Sequence, residues 1–293
     1  MAALLLKISI AAMILAMGMN ASLKDITYLW HRPLLLIKSV AAMYLVLPLL
    51  VILMAIFLDL PPRTELALVV LAICAGAPLL PKKLMKFGGD PSYVLSLIVT
   101  TSLLAIITVP VSLHFLARST FFEIAPDVPH LWNVAVVILK SFLLPLGLGM
   151  AIRLVAPALA ERYADLLLKV SGAVMALIAV VALILGIHLI LEIGWQSLLA
   201  FVLFTLTAIG SGHLLGGPDP LNRTSLAITC TSRHIGLALL IAAHTRGEHA
   251  LPMVVGYLLV SAVMSIVYFK WASKRQASLS LAATGTSKED STL

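Results

Sequence analysis

Charge is scarce in this chain: Asp, Glu, Lys and Arg make up 11% of its 293 residues, apolar residues make up 61%, and the mean hydropathy is +1.09. That balance excludes an ordinary soluble domain, in which about a quarter of residues are charged. Acidic residues are the scarcest part of it, 13 against 20 basic. All of them fall in loops, tails or the ends of apolar runs, so no embedded carboxylate is available to carry protons. The two cysteines, Cys74 and Cys230, lack the CxxC spacing of a metal site. No phosphate loop, Ser-His-Asp set, zinc motif or paired carboxylate occurs, which argues against an enzyme and leaves no metal or cofactor to expect. No long polar stretch interrupts the chain before residue 273. Residues 273–293, rich in Ser, Thr and Ala, read as a disordered tail.

What the chain does have is long apolar runs separated by short polar turns. Nine stretches are candidate spans: 3–19, 34–58, 66–84, 93–116, 131–154, 166–191, 198–215, 226–243 and 251–269. Runs of this length predict membrane helices, since strands of a membrane barrel are about ten residues long and alternate in polarity. The first run lacks a small-x-small cleavage pattern and counts as a span. The fold expected is all-α and polytopic, with residues 1–272 as one transmembrane unit. Nine spans put the termini on opposite sides. Thirteen basic residues fall on the side of the C-terminal tail and three (Arg63, Arg118 and Arg246) on the other, so the tail should be cytoplasmic and the N-terminus outside. The excess of basic residues therefore reports topology in a cell membrane, inner or plasma, with no nucleic-acid partner.

Two spans contain residues that weaken a membrane helix. Gly76, Pro78 and Pro81 lie in the third; a run of small and polar residues from Thr229 to His234, followed by Gly236, lies in the eighth. The two spans are five apart, so they have opposite orientation. Spans one to four (about 3–116) and six to nine (about 166–270) would then be inverted repeats joined by a linking helix at 131–154. Paired interrupted helices in matching halves mark the midplane site of a transporter. The fragments Ala72-Ile73-Cys74-Ala75-Gly76 and Ala227-Ile228-Thr229-Cys230-Thr231 resemble each other weakly.

Arg233 lies inside the eighth span with no acid nearby. A cation at mid-membrane costs about 2.5 to 3.5 kcal/mol on insertion scales, and such residues face a cavity on a substrate or ion path. Lys140 lies within the fifth span, as a gate-lining residue or an amine reaching for the interface.

The order of several motifs resembles that of the bile acid:sodium symporter family. Ala16-Met17-Gly18-Met19-Asn20-Ala21-Ser22-Leu23-Lys24-Asp25 is similar to the family's opening motif. His31-Arg32-Pro33 with Pro48, Gly88-Gly89-Asp90 with Leu95-Ser96 and Val99-Thr100-Thr101, Lys140-Ser141-Phe142-Leu143-Leu144-Pro145 with Gly149, and Gly236-Leu237-Ala238 follow in order over nearly the whole chain. The resemblance implies two inverted five-helix repeats whose broken helices cross at the ion and substrate sites, with this chain starting at the family's second helix. It also implies sodium as the coupling ion, of whose ligands Ser96 and Thr100 are present; oxygen ligands suit a hard cation. The remaining ligands differ. The Ser-Asn pair falls at Leu80-Pro81, the first glutamine near Met43, the acid at Thr229 and the second glutamine at Arg233. A guanidinium repels sodium and does not deprotonate.

The function expected is secondary transport of a small organic anion with weak or no sodium dependence. Arg233, His234, Thr229, Thr231 and Ser232 should contact the substrate, Ser96 and Thr100 should line the same cavity, and the N–H ends of the broken helices should favour the anion. The partners implied are that anion and the lipid bilayer. A sodium-coupled carrier with a rearranged site, and an intramembrane enzyme or non-transporting sensor, are the alternatives.

Overall fold

The computed structural model describes residues 2–75, 91–117, 131–233 and 250–289. All the regular elements among them are helices: α1 (Ala2–Asn20), α2 (Leu23–Thr27), α3 (Pro33–Phe57), α4 (Pro62–Ile73), α5 (Pro91–Ala117), α6 (131–155), α7 (Pro157–Glu192), α8 (Trp195–Leu215), α9 (Pro220–Thr231) and α10 (Ala250–Glu289). Of nine expected spans, five described helices are long and apolar enough to cross a bilayer, within α3, α5, α6, α8 and α10; α1 contributes a shorter apolar stretch, Lys7–Asn20.

Proline sets many of the boundaries. It opens α3, α4, α5, α7 and α9, where its missing N–H is one that a helix start leaves unpaired anyway. Inside a helix it has a different effect. Pro48 and Pro145 each follow a π-turn, Ala42–Val46 in α3 and Leu139–Leu143 in α6. The wider turn absorbs the loss of an N–H and the clash of the proline ring with the preceding carbonyl. Ser22 opens α2 with a capping box: the Asp25 N–H donates to the Ser22 hydroxyl, while Asp25 Oδ2 accepts from the Ser22 N–H (2.7 Å) and hydroxyl (2.6 Å).

The helices α1 and α6 cross at two glycines. A Cβ added to Gly18 would stand 2.3 Å from the Leu146 carbonyl oxygen, and one on Gly149 would stand 2.1 Å from that of Leu15. Only glycine permits backbones this close, a known mode of membrane helix packing. A second close approach joins α8 and α9, where a Cβ on Gly212 would lie 2.4 Å from Ala227 Cα.

Neither α4 nor α9 crosses a membrane by itself. Each has twelve residues, about 18 Å of helix, against a hydrocarbon thickness of ~30 Å. Helix α4 stops before Gly76, and α9 stops inside the polar run 229–234. Cys74 and Ser232 leave helical geometry (ψ 57° and 122°), and the next residues, Ala75 and Arg233, pair in an antiparallel β-bridge. Gly76, Pro78, Pro81, His234 and Gly236 lie outside the described residues. Helix α4 ends at Ile73 and α9 at Thr231, so Cys74 follows its helix while Cys230 lies in the last turn of α9.

The point where the ends of α4 and α9 meet is enclosed on several sides. Helices α5, α8 and α10 each pack against both α4 and α9, and α3 packs against α8. Helix α10 also corrects the expected tail: residues 273–289 continue the helix to Glu289. The segment Ala277-Ser278-Leu279-Ser280-Leu281-Ala282-Ala283 contains no proline or glycine and five of its seven residues are alanine or leucine, so it can propagate a helix already begun.

Candidate functional site

Arg233 lies where the ends of α4 and α9 meet. Its side chain is 1% exposed, and Nε, Nη1 and Nη2 have no hydrogen-bond partner among the described residues. No other charged residue is buried among the described residues. The guanidinium lies 5.4 Å from the centroid of the Phe204 ring on α8, a cation–π contact worth about 2 kcal/mol when desolvated. Tyr257 on α10 meets that ring edge-on at 5.6 Å and Phe201 at 6.1 Å. Tyr44, Cys74, Cys230 and Tyr257 are within electrostatic reach of the cation. Both cysteines are fully buried free thiols.

The ends of α4 and α9 that face the crossing are C-terminal. A helix C-terminus carries about half a negative charge and favours a nearby cation by roughly 0.3–1 kcal/mol. Two such ends offset part of the cost of burying Arg233 without hydrogen-bonding it. The N–H ends expected to favour an anion would belong to the segments after the breaks, outside the described residues.

The hydroxyl groups beside Arg233 are directed into their own helices. Thr229 Oγ1 donates to the Ser225 carbonyl (2.7 Å), Thr231 Oγ1 to that of Ile228 (2.8 Å), and Ser232 Oγ also to Ile228 (3.0 Å). Thr231 Oγ1 in addition meets Ser265 Oγ on α10 at 2.9 Å. Tyr257 donates to the Thr231 carbonyl (2.6 Å), one of those left unpaired by the end of α9, and Tyr44, in the π-turn of α3, donates to the Thr101 carbonyl (2.8 Å).

Ser96 and Thr100 face a different neighbour. They form, with Ser92, one stripe of α5 spaced at four residues, and all three bond to the chain between α1 and α3. Ser92 Oγ donates to Asp25 Oδ1 (2.6 Å), the Leu29 N–H donates to Ser96 Oγ (2.9 Å), and Trp30 Nε1 donates to Thr100 Oγ1 (2.9 Å), which itself donates to the Ser96 carbonyl (2.7 Å). As a cation site the set is poor. One lone pair on each hydroxyl already accepts an N–H donor, and Thr229 supplies no carboxylate, so the residues described fit a sodium ion poorly.

Asp25 anchors the same segment. Partial burial acts to raise its pKa, but hydrogen bonds from the Ser22 hydroxyl, the Ser92 hydroxyl and the Ser22 N–H, with the charge of Arg153, outweigh this and hold it below the ordinary carboxylate value.

The sequence model of the Sodium Bile acid symporter family matches residues 7–193. The chain belongs to the sodium bile acid symporter family. It is accordingly a multi-pass membrane protein with a small-molecule substrate, and the family's activity is transport, which fits a non-enzyme. The family match runs from α1 to the end of α7; it includes Ser96 and Thr100 and stops before Arg233. None of the curated proteins matches the sequence.

Sequence reasoning singled out Arg233 and missed its surroundings. Phe204, Tyr257 and Tyr44 are aromatic residues in apolar spans, a pattern that packing produces everywhere. Leu29 and Trp30 lie in a turn whose partners are about seventy residues away. His234, placed beside Arg233 by sequence, is outside the described residues.

Proposed function

We propose that this member of the family is a secondary carrier of a small organic anion, working by alternating access, with the anion held by Arg233 where α4 and α9 cross and with little or no dependence on sodium. The observation that carries the reading is the Arg233 side chain, 1% exposed with three nitrogens that have no partner among the described residues. A guanidinium in that state is satisfied by a carboxylate ligand, which accepts two parallel N–H bonds. Thr229, Thr231, Ser232 and His234 flank it in sequence and complete the proposed binding region. Supporting the loss of sodium coupling, Ser96 and Thr100 accept hydrogen bonds from Leu29 and Trp30, and Arg233 brings a permanent positive charge to the crossing.

Two equal helices, each opened by proline and ending in a residue pair bridged to the other, support an inverted-repeat arrangement. The thirteen-to-three basic asymmetry supports an external N-terminus and a cytoplasmic C-terminus in a cell membrane; reporter fusions at each end read it directly.

The test is anion binding to purified protein by thermal shift. Arg233→Ala should abolish the shift produced by organic anions in a monodisperse protein, and Arg233→Lys should restore it in part, since an ammonium does not reproduce the fork. Undiminished binding in a well-folded Arg233→Ala protein would locate the anion elsewhere.

A further inference from the structure

We propose that the cluster where the C-terminal end of α8, the start of α9 and the middle of α10 meet is a binding site for one anionic phospholipid of the leaflet on the side of the C-terminus. Arg223 and Arg275 hold the phosphate, His213 and Trp271 lie between them, and the acyl chains run along α10. The inference does not depend on the reading of Arg233.

Three helices build the cluster. His213 is in the last turn of α8, Arg223 and Thr224 follow the start of α9, and Tyr268, Trp271 and Arg275 lie on α10. His213 Nδ1 meets Tyr268 Oη at 2.7 Å, and its ring centroid is 5.7 Å from that of Trp271. Tyr268 also bonds to Thr224, which ties α9 to the pair. The Arg275 guanidinium lies 5.5 Å from the centroid of the Trp271 ring. Arg223 Nε donates to the Gly217 carbonyl (2.6 Å), which holds the second guanidinium at the turn between α8 and α9. Both guanidinium groups are within electrostatic reach of His213. Two permanent positive charges from different helices are thus held around one imidazole. Like charges so placed repel, and an anion between them turns the repulsion into attraction.

The face of α10 that leads to the cluster gives the class of anion. Val263, Val267, Trp271 and Arg275 are spaced at four residues, so they share one side of the helix, and all four are exposed. The stripe changes from apolar to aromatic to cationic towards the C-terminus. From Val263 to Trp271 the helix rises about 12 Å, close to the ~15 Å of hydrocarbon in one leaflet. The indole is then at the membrane interface, where tryptophan is enriched, and Arg275 is one turn beyond it, at the depth of lipid phosphates; the apolar span of α10 ends at this same arginine. Leu214, next to His213, adds exposed apolar surface, and Lys270 and Lys274 are exposed beside the stripe. A free phosphate ion would use the cationic end of this surface alone, whereas a phospholipid matches its whole length. The amine of a choline headgroup would bring one more cation to the cluster, so the lipid that fits carries a net negative charge.

The full chain, delipidated in a neutral detergent, would be titrated by thermal shift with phosphatidylglycerol, phosphatidylcholine and inorganic phosphate, with lipid retention read by native mass spectrometry. Phosphatidylglycerol should raise the unfolding temperature by several degrees more than phosphatidylcholine and be retained as one molecule per chain, while inorganic phosphate at the same concentration gives no shift. Arg275→Gln should weaken phosphatidylglycerol binding about fivefold, the effect of one basic residue beside an anionic headgroup, and Arg223→Gln, from a different helix, should do the same. Arg275→Lys should retain most of the affinity. Arg162→Gln is the control: Arg162 is an exposed arginine of α7 that lies 5.5 Å from the centroid of its neighbour Tyr163, and its loss should leave the affinity close to that of wild type. Equal responses to the two lipids, unchanged affinity in Arg275→Gln, or a loss as large in Arg162→Gln as in Arg275→Gln would overturn the site and reduce the cluster to general interfacial charge. A shift with inorganic phosphate as large as that with phosphatidylglycerol, abolished in Arg275→Gln, would overturn the lipid assignment in favour of a soluble anion.

Discussion

Ala75 and Arg233 are joined backbone to backbone by an antiparallel bridge, although 157 residues separate them in the chain. Each is the second residue after a twelve-residue helix. The bridge satisfies peptide groups that an interrupted helix would otherwise leave unpaired in hydrocarbon, where each costs several kcal/mol. It also fixes which side chain lies at the crossing: alanine from one half and arginine from the other. The asymmetry of charge at this point is thus a property of one residue on a paired backbone, and the neighbouring helices supply aromatic packing in place of a counter-ion.

The α1–α6 crossing should tolerate no side chain. Gly149→Val places a Cβ 2.1 Å from the Leu15 carbonyl oxygen and 2.8 Å from the Met19 nitrogen, contacts with backbone that no rotamer change relieves. Overpacking of this kind costs about 1–3 kcal/mol, so the unfolding temperature in detergent should fall by several degrees. Gly147→Ala, where an added Cβ meets nothing within 4 Å, should leave it unchanged or raise it slightly.

Asp25 supplies a pH dependence. Its pKa is lowered in the folded chain, so its ionised form stabilises the fold at every pH above the unfolded value of ~3.9, and this contribution is lost as pH falls through the lower folded value. Asp25→Asn should lower the unfolding temperature at pH 7, and the gap between variant and wild type should narrow below about pH 4. A gap that grew on acidification would contradict the assignment. Thermal unfolding from pH 7 to pH 3 measures it.

Sodium should not stabilise the protein. Replacing sodium with choline at fixed ionic strength should leave the unfolding temperature unchanged, while Thr100→Val, which removes the acceptor of Trp30 Nε1, should lower it equally in both salts. A stabilisation by sodium that Thr100→Val abolishes would mean that the hydroxyl holds the ion and not the indole.

The helical membrane architecture was legible because long apolar runs have one structural solution in lipid. Arg233 was legible because a membrane-embedded cation has few innocent explanations. The position of the breaks was legible in part. The end of α9 at Thr231 falls inside the polar run 229–234, whereas α4 ends at Ile73, three residues before Gly76, where pairing between distant segments decides the matter. Ser96 and Thr100 were identifiable as hydroxyls on one face of α5; that Leu29 and Trp30 occupy them is a tertiary fact. The helical continuation through residues 273–289 shows that a polar, small-residue composition does not by itself end a helix that membrane packing has nucleated.

The central claim is that Arg233 holds the transported anion and that sodium is not required. Wild-type and Arg233→Ala proteins would be reconstituted in proteoliposomes, exposed to a mixture of small organic acids in sodium-free choline buffer, and the internal contents identified by mass spectrometry. The account predicts that wild-type vesicles take up one or more of the organic anions above empty vesicles, that added sodium does not increase the uptake, and that Arg233→Ala reduces it to the level of empty vesicles. Uptake that persists in Arg233→Ala, or that occurs in wild type only when sodium is supplied, would contradict it.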